Sequence, residues 1–251
     1  MNTEALYERY LPCLLDGRRT ECRQMVLRAL EDGAGAGDLL NEVIQPAMQQ
    51  VSALLKRDEI NLATEHMASR INRMLADQLS PHLPRRDRRD KRVLITCADG
   101  EPEELGAQMT ADQFEADGWD VYFTGGGVPN DEILQIVGQL RPDILLIVGT
   151  QPSGVPNVRK LIDLIRSVGS NPTMNILISG GVFNRAEGLW EEINADLFAP
   201  TAPEALAIAN SARPKDPVVT IPGPPPKKRR RRRKPPLLMV AEQATPPTQT
   251  P

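Results

Sequence analysis

The chain has 251 residues, 40% hydrophobic and 25% charged, enough apolar content to bury one large core or two smaller ones. No run approaches the ~20 consecutive apolar residues of a membrane span, and Met1-Asn2-Thr3-Glu4 lacks the basic-then-apolar form of a secretory leader, so a cytoplasmic location is expected. Three cysteines, Cys13, Cys22 and Cys97, and two histidines, His66 and His82, argue against both a disulfide framework and a zinc site.

The first third reads as helix. Patterns of helical period start near Thr3 and near Thr20. After the breaker Gly33-Ala34-Gly35-Ala36-Gly37, the residues Leu40, Val43, Ile44, Ala47, Met48, Val51, Leu54 and Leu55 recur at three- and four-residue steps, with Asp38 as the expected N-cap. A further helix is expected from Asn61 through Leu79. Four helices with short connections make residues 1–83 a helical bundle. The stretch RRDRRDKR, Arg85 to Arg92, follows SPHLP and reads as a basic linker over 84–92.

From 93 to 213 strand and helix alternate. Apolar runs at Val93 to Cys97, Val121 to Phe123, Ile144 to Val148, Ile176 to Ser179 and, more weakly, Leu197-Phe198 are separated by amphipathic segments of helix length. One of these is expected to open on Asn130-Asp131-Glu132, a cap followed by acidic residues in the first turn. The fold class is α/β: a helical bundle followed by a flavodoxin- or Rossmann-like parallel sheet of five strands. Its ligand site should lie at the carboxyl ends of the strands, where Ala98 to Glu104, Thr124 to Val128, Gly149 to Gly154 and Gly180 to Asn184 converge. Three of these loops keep side chains small, as close approach of backbone to a ligand requires. They contain neither G-x-G-x-x-G nor a Walker motif. Glu101, Glu103 and Glu104 could do acid/base work, but three carboxylates beside a helix start also suit its dipole. With no Ser-His-Asp or Cys-His set in view, no enzyme is expected.

Residues 214–251 are rich in proline and carry Lys227, Lys228, Arg229, Arg230, Arg231, Arg232, Arg233 and Lys234 in one run. Against a net charge of -3, this leaves the rest of the chain strongly acidic. Such a composition predicts disorder, with Leu237 to Val240 as a short docking element. Eight cations suit phosphates, an acidic protein surface or anionic lipid, and the expectation is a tether to DNA or to a DNA-bound regulator.

Ala98 to Pro129, ADGEPEELGAQMTADQFEADGWDVYFTGGGVP, resembles the opening of the cobalamin-binding domain in bacterial light- and vitamin-sensing regulators. There a G-E-x-H-x-L-G loop precedes a helix and then a Gly-Trp stretch. Val43 to Leu75, with Glu65-His66, resembles the helical cap over the corrin in the same proteins. The resemblance spans roughly 10 to 210. It implies cobalamin held between cap and sheet by Glu101, Glu103, Leu105, Gly106, Thr124, Gly125, Gly126, Thr150, Gly180 and Gly181 below, and by Leu55, Glu65 and His66 above. Two positions depart from the family. Glu103 stands where the loop histidine enters the cobalt sphere, and Leu55, beside Lys56, stands where the photoreceptors have tryptophan. Haem or a bilin is the alternative cofactor, with His66 as metal ligand or Cys97 as bilin attachment, and a ligand-free domain is the third reading. The implied function is a non-enzymatic, signal- or light-responsive regulator of the stand-alone antirepressor type, binding a transcription factor and able to self-associate. The alternative is a corrinoid methyl carrier of a methyltransferase system.

Overall fold

The computed structural model describes residues 2–98, 100 and 104–216. Its first part is made of α1 (Thr3–Leu15), α2 (Arg19–Glu31), α3 (Ala36–Leu39), α4 (Gln45–Lys56) and α5 (Leu62–Leu79). Asn2 caps α1 by accepting from Glu4 N at 2.9 Å, and Asn61 caps α5 by accepting from Thr64 N at 2.9 Å. The expected cap at Asp38 is displaced. The helix starts three residues earlier, at Ala36 with Gly35 at the N-cap, and Asp38 falls in the first turn.

Between α3 and α4 the helix continues through a π turn, Leu40–Ile44, so that α3 and α4 form one interrupted rod and the bundle has four members. Gln45 N–H bonds to Leu40 O, five residues back. The next residue, Pro46, has no N–H to offer the carbonyl four residues behind it, which is why the α pattern slips here. Leu6, Leu14, Val26, Leu39, Val43, Ile44, Ile71 and Leu75 fill the bundle core.

The second part holds five parallel strands, β1 (Arg92–Cys97), β2 (Asp120–Gly125), β3 (Ile144–Val148), β4 (Asn175–Ser179) and β5 (Leu197–Ala199), in the order β2-β1-β3-β4-β5. Every residue of β3 and β4 is buried, as strands covered on both faces must be. On one face α7 (Asn130–Leu140) and α8 (Val155–Val168) pack Ile133, Val137, Val158 and Ile162 onto Leu94, Leu145 and Ile176. On the other, α6 (Leu105–Ala116) and α11 (Ala202–Ser211) cover Val93, Ile95, Leu146 and Leu177. Two short helices, α9 (Gly181–Arg185) and α10 (Leu189–Glu192), follow β4. Asn130 is not a cap. It is the first helical residue of α7, and its side chain donates to the carbonyl and the side-chain oxygen of Asn157 at 3.2 and 3.1 Å.

Residues 1–217 form a single compact unit, and α6 is the reason. Leu105, Met109 and Ala116 belong to the bundle core, while Ala107, Ala111 and Phe114 belong to the sheet core. Polar contacts complete the junction: Gln113 Nε2 donates to Asn41 Oδ1 at 3.0 Å, Arg73 Nη1 to Gln108 Oε1 at 3.1 Å, and Gln108 Nε2 to Asp77 Oδ1 at 2.7 Å. The basic stretch is not a free linker. Arg86 N and Arg89 N donate to Ala116 O and Gly118 O, each at 2.7 Å, and both guanidinium groups meet the buried Asp117 carboxylate at 3.0 Å. Gly118, at φ +93°, allows this, because a Cβ there would lie 2.1 Å from Asp87 O.

Asp112 also lies on α6. Among the described residues its Oδ2 is buried without a hydrogen-bond partner. Burial pushes its carboxyl from 3.8 up to about 6, opposed by a hydrogen bond from Ser80 and aided by the Glu115 and Asp77 carboxylates. The folded state therefore holds the proton more tightly than the unfolded chain, so this group's contribution to stability falls as pH rises from about 4 to about 6. Asp112→Asn is expected to raise stability at pH 7 by roughly 1 kcal/mol, after allowing for solvent screening of the exposed part of the group, and to flatten that pH dependence. Urea denaturation of both proteins at pH 4 and pH 7 checks it.

Candidate functional site

The strand order reverses direction between β1 and β3, and in open α/β sheets that switch point is where ligands bind. A crevice of only about 10 Å³ opens there, with Thr96, Ala98, Val128, Asn130 and Asn157 among its walls. The bonded pair Asn130–Asn157 holds two of those walls together. Above it the four loops are tied in pairs.

The first pair is joined by Glu104. Its Oε1 accepts from Gly126 N at 2.9 Å, and a Cβ on Gly125, at φ +70°, would lie 2.6 Å from its Oε2. Thr96 Oγ1 donates to Gly125 O at 3.0 Å and Thr124 Oγ1 to Ile95 O at 3.4 Å, holding the end of β2 against β1 where the register shifts. The second pair meets backbone to backbone. Gly149 N donates to Ser179 O at 3.0 Å and Val182 N to Gly149 O at 3.3 Å. Gly180 sits at φ +107°, and a Cβ there would fall 2.3 Å from Gly149 O. Arg185 crosses Gly181 and donates from Nη2 to Thr150 O at 2.9 Å. The result is a floor made largely of main chain.

The bundle supplies a roof. Asn41 contacts Gln113 and Gln45 lies beside Gly106, whose Cβ would stand 3.5 Å from Gln45 Oε1, so α4 runs antiparallel to α6. Arg73 and Asp77 contact Gln108, while Arg85, just beyond α5, contacts Glu115, so α5 runs parallel to α6. Residues 46–56 and 62–72 therefore project past the start of α6 as a helical hairpin, about 16 Å beyond the strands' carboxyl edge at 1.5 Å per residue. Leu55 is half-buried near the end of α4. Glu65 accepts from Ser69 Oγ at 2.8 Å and lies 3.6 Å from His66 Nε2, and the His66 side chain is 59% exposed.

Of the expected site residues, Leu105 is buried at the start of α6 and Gly106 follows it under Gln45. Thr124, Gly125, Gly126, Thr150, Gly180 and Gly181 share the carboxyl edge, and Leu55, Glu65 and His66 share the hairpin. Glu101 and Glu103, and the cations from Lys227 to Lys234, lie outside the described residues. Sequence reading missed Glu104 and Arg185 as the side chains that fasten the loops. Glu104 was counted among the dipole acids, and Arg185 could have been found from its place four residues after the glycine pair. Cys97, considered for a bilin, is 7% exposed and packs in the core beneath α6. A glycine floor under an overhanging helical hairpin fits a flat, disc-shaped group.

A model of the B12 binding domain matches residues 91–210, and a second model, also described as B12 binding domain, matches residues 6–80. The chain is built of B12-binding domains. Cobalamin or a related corrinoid is thus its cofactor, in place of haem or a bilin. It is 23% identical over 202 residues to dimethylamine corrinoid protein 1 of Methanosarcina acetivorans, covering 78% of this chain and 93% of that protein. It is 19% identical over 216 residues to monomethylamine corrinoid protein 1 of the same organism, covering 83% of this chain and 98% of that protein. The solved monomethylamine corrinoid protein of Methanosarcina barkeri shares the fold, with a TM-score of 0.74 at 18% identity over 83% of this chain and 98% of that one.

These relatives overturn the expectation of a light- or signal-responsive transcriptional regulator with a transcription-factor partner, because the proteins matched along nearly their whole length are named as corrinoid proteins of methylamine systems. None of those names is that of an enzyme. No helix among the described residues is long and apolar enough to cross a membrane.

The main-chain floor depends on Gly180. Gly180→Ala places a Cβ against Gly149 and strains a left-handed backbone, so a loss of about 2 kcal/mol or more in folding stability is expected, together with weaker retention of hydroxocobalamin. Chemical denaturation and gel filtration with absorbance at the corrin band measure the two effects.

Proposed function

We propose that this chain is the corrinoid-carrying subunit of a methyl-transfer system and that its partner is a methyltransferase. The observation that carries the reading is that both B12-binding domains are present, in order, and that the methylamine corrinoid proteins align over more than nine-tenths of their own length. The bound corrinoid supplies a cobalt that accepts and donates a methyl group. The residues of this chain bind it and shield it. Gly180, Gly181 and Thr150 form one side of the floor, Thr124, Gly125 and Gly126 the other, and Leu105 and Gly106 carry the floor into α6. Leu55, Glu65 and His66 approach from the hairpin. Glu104 acts as a positioning residue, since its carboxylate holds the Gly126 amide and with it the second loop.

In the sequence Glu103 takes the position of the histidine that the regulator family carries in this loop, with Glu101 two residues before it. An imidazole nitrogen is the better donor to cobalt, so the carrier works without a protein imidazole from that loop. The purified full-length protein is expected to retain about one equivalent of hydroxocobalamin through gel filtration, and Glu103→His is expected to tighten retention and shift the visible spectrum. Failure of the unaltered protein to retain any cobalamin would overturn the reading. A spectrum unchanged by Glu103→His would remove Glu103 from the lower side.

A further inference from the structure

We propose that Cys13 and Cys22 are a redox pair that a peroxide closes into a disulfide between α1 and α2. The two thiols face each other in the bundle core, 2% and 0% exposed, with Cys22 Sγ 3.4 Å from Cys13 Sγ. The Cys13 thiol points in turn at Arg18 O, 3.6 Å away, in the turn that joins the two helices. A disulfide is ~2.05 Å long, so the sulfurs need to approach by about 1.4 Å.

The chemistry balances. Peroxide oxidises one thiol to the sulfenic acid, its O–O bond breaking with release of one water. The second sulfur then attacks the first, the S–O bond breaks, and the hydroxyl leaves with the second thiol's proton as another water. Two thiols lose two electrons and two hydrogens to one peroxide molecule. Burial, helped by the contact with Cys13, pushes the Cys22 thiol up to about 12, so Cys22 rests as the thiol at neutral pH.

The bond would act on the bundle near its roof. Gly17 lies in the bridged turn, and a Cβ on it would stand 3.2 Å from Met67 Sδ on α5, one residue after His66. Closing the pair therefore stiffens the support of the overhanging part of α5. The pair lies apart from the glycine floor, so its test stands whether or not the carrier reading holds.

Trypsin makes the test direct, because Arg18 and Arg19 lie between the cysteines. Cleavage leaves Cys13 on the peptide Tyr10 to Arg18 and Cys22 on Thr20 to Arg23. After treatment of the native full-length protein with hydrogen peroxide and trapping of free thiols, mass spectrometry is expected to find these two peptides joined, separable by dithiothreitol, and absent from the Cys22→Ser variant. The treated protein is expected to melt at a higher temperature than the untreated one. Recovery of both peptides unlinked, with trapped thiols or with sulfinic or sulfonic cysteine, overturns the proposal, as does linkage of either to Cys97.

Discussion

Helix α6 has to satisfy two cores at once, and the site follows from that. A helix buried on both sides cannot carry the usual single apolar stripe. Here Leu105, Met109 and Ala116 point to the bundle while Ala107, Ala111 and Phe114 point to the sheet, and the small side chains on the sheet side let the helix lie close to β1. Because α6 begins where β1 ends, the bundle elements that grip it are aligned to the carboxyl edge as well. The antiparallel run of α4 and the parallel run of α5 along α6 turn a bundle into an overhang.

The strands were legible because burial on both faces leaves no choice of residue: Ile144 to Val148 and Ile176 to Ser179 are apolar or small throughout, and of the expected five strands one coincides with β3 and the other four differ from those found by one or two residues at their ends. What sequence could not show was decided by tertiary contacts. Asp38 is a good cap in isolation, but the helix before it starts at Ala36 and runs on through the π turn that Pro46 imposes. The arginines between 85 and 92 read as a solvated charge run, yet Asp117 takes two of them, and the residue that makes room for the crossing, Gly118, lies some thirty positions downstream. Glu104 is the same kind of case. A carboxylate beside a helix start suits the dipole in any sequence, and only the fold reveals that it holds the Gly126 amide.

The cofactor class was more legible than the biological role for a related reason. Gly180 is required because two backbones touch there, and Gly125 because a carboxylate occupies the space of a side chain. Such constraints act on any protein that uses this edge in this way, so they identify the domain and say nothing of what docks on it. The resemblance in the Ala98 to Pro129 stretch therefore points to the cofactor and not to the role. The alignment along nearly the full length of methylamine corrinoid proteins argues against the regulator role.

The junction along α6 joins the bundle to the sheet by contacts of two kinds. Gln113–Asn41, Gln108–Asp77 and Arg73–Gln108 are hydrogen bonds that water replaces on separation, each at a net cost of ~1 kcal/mol. The apolar part that α6 lends to the bundle, chiefly Leu105 and Met109, costs more to expose, about 1.5–3 kcal/mol for each side chain. Asp112 works in the opposite sense: a carboxyl held in a partly dry junction at neutral pH gains hydration when the junction opens. The junction is therefore strong enough to hold the hairpin over the floor and weak enough for binding energy of ordinary size to displace it. By contrast, Asp117 with Arg86 and Arg89 fastens the end of the bundle nearest the sheet's amino edge with charged contacts that the hairpin end does not share with them.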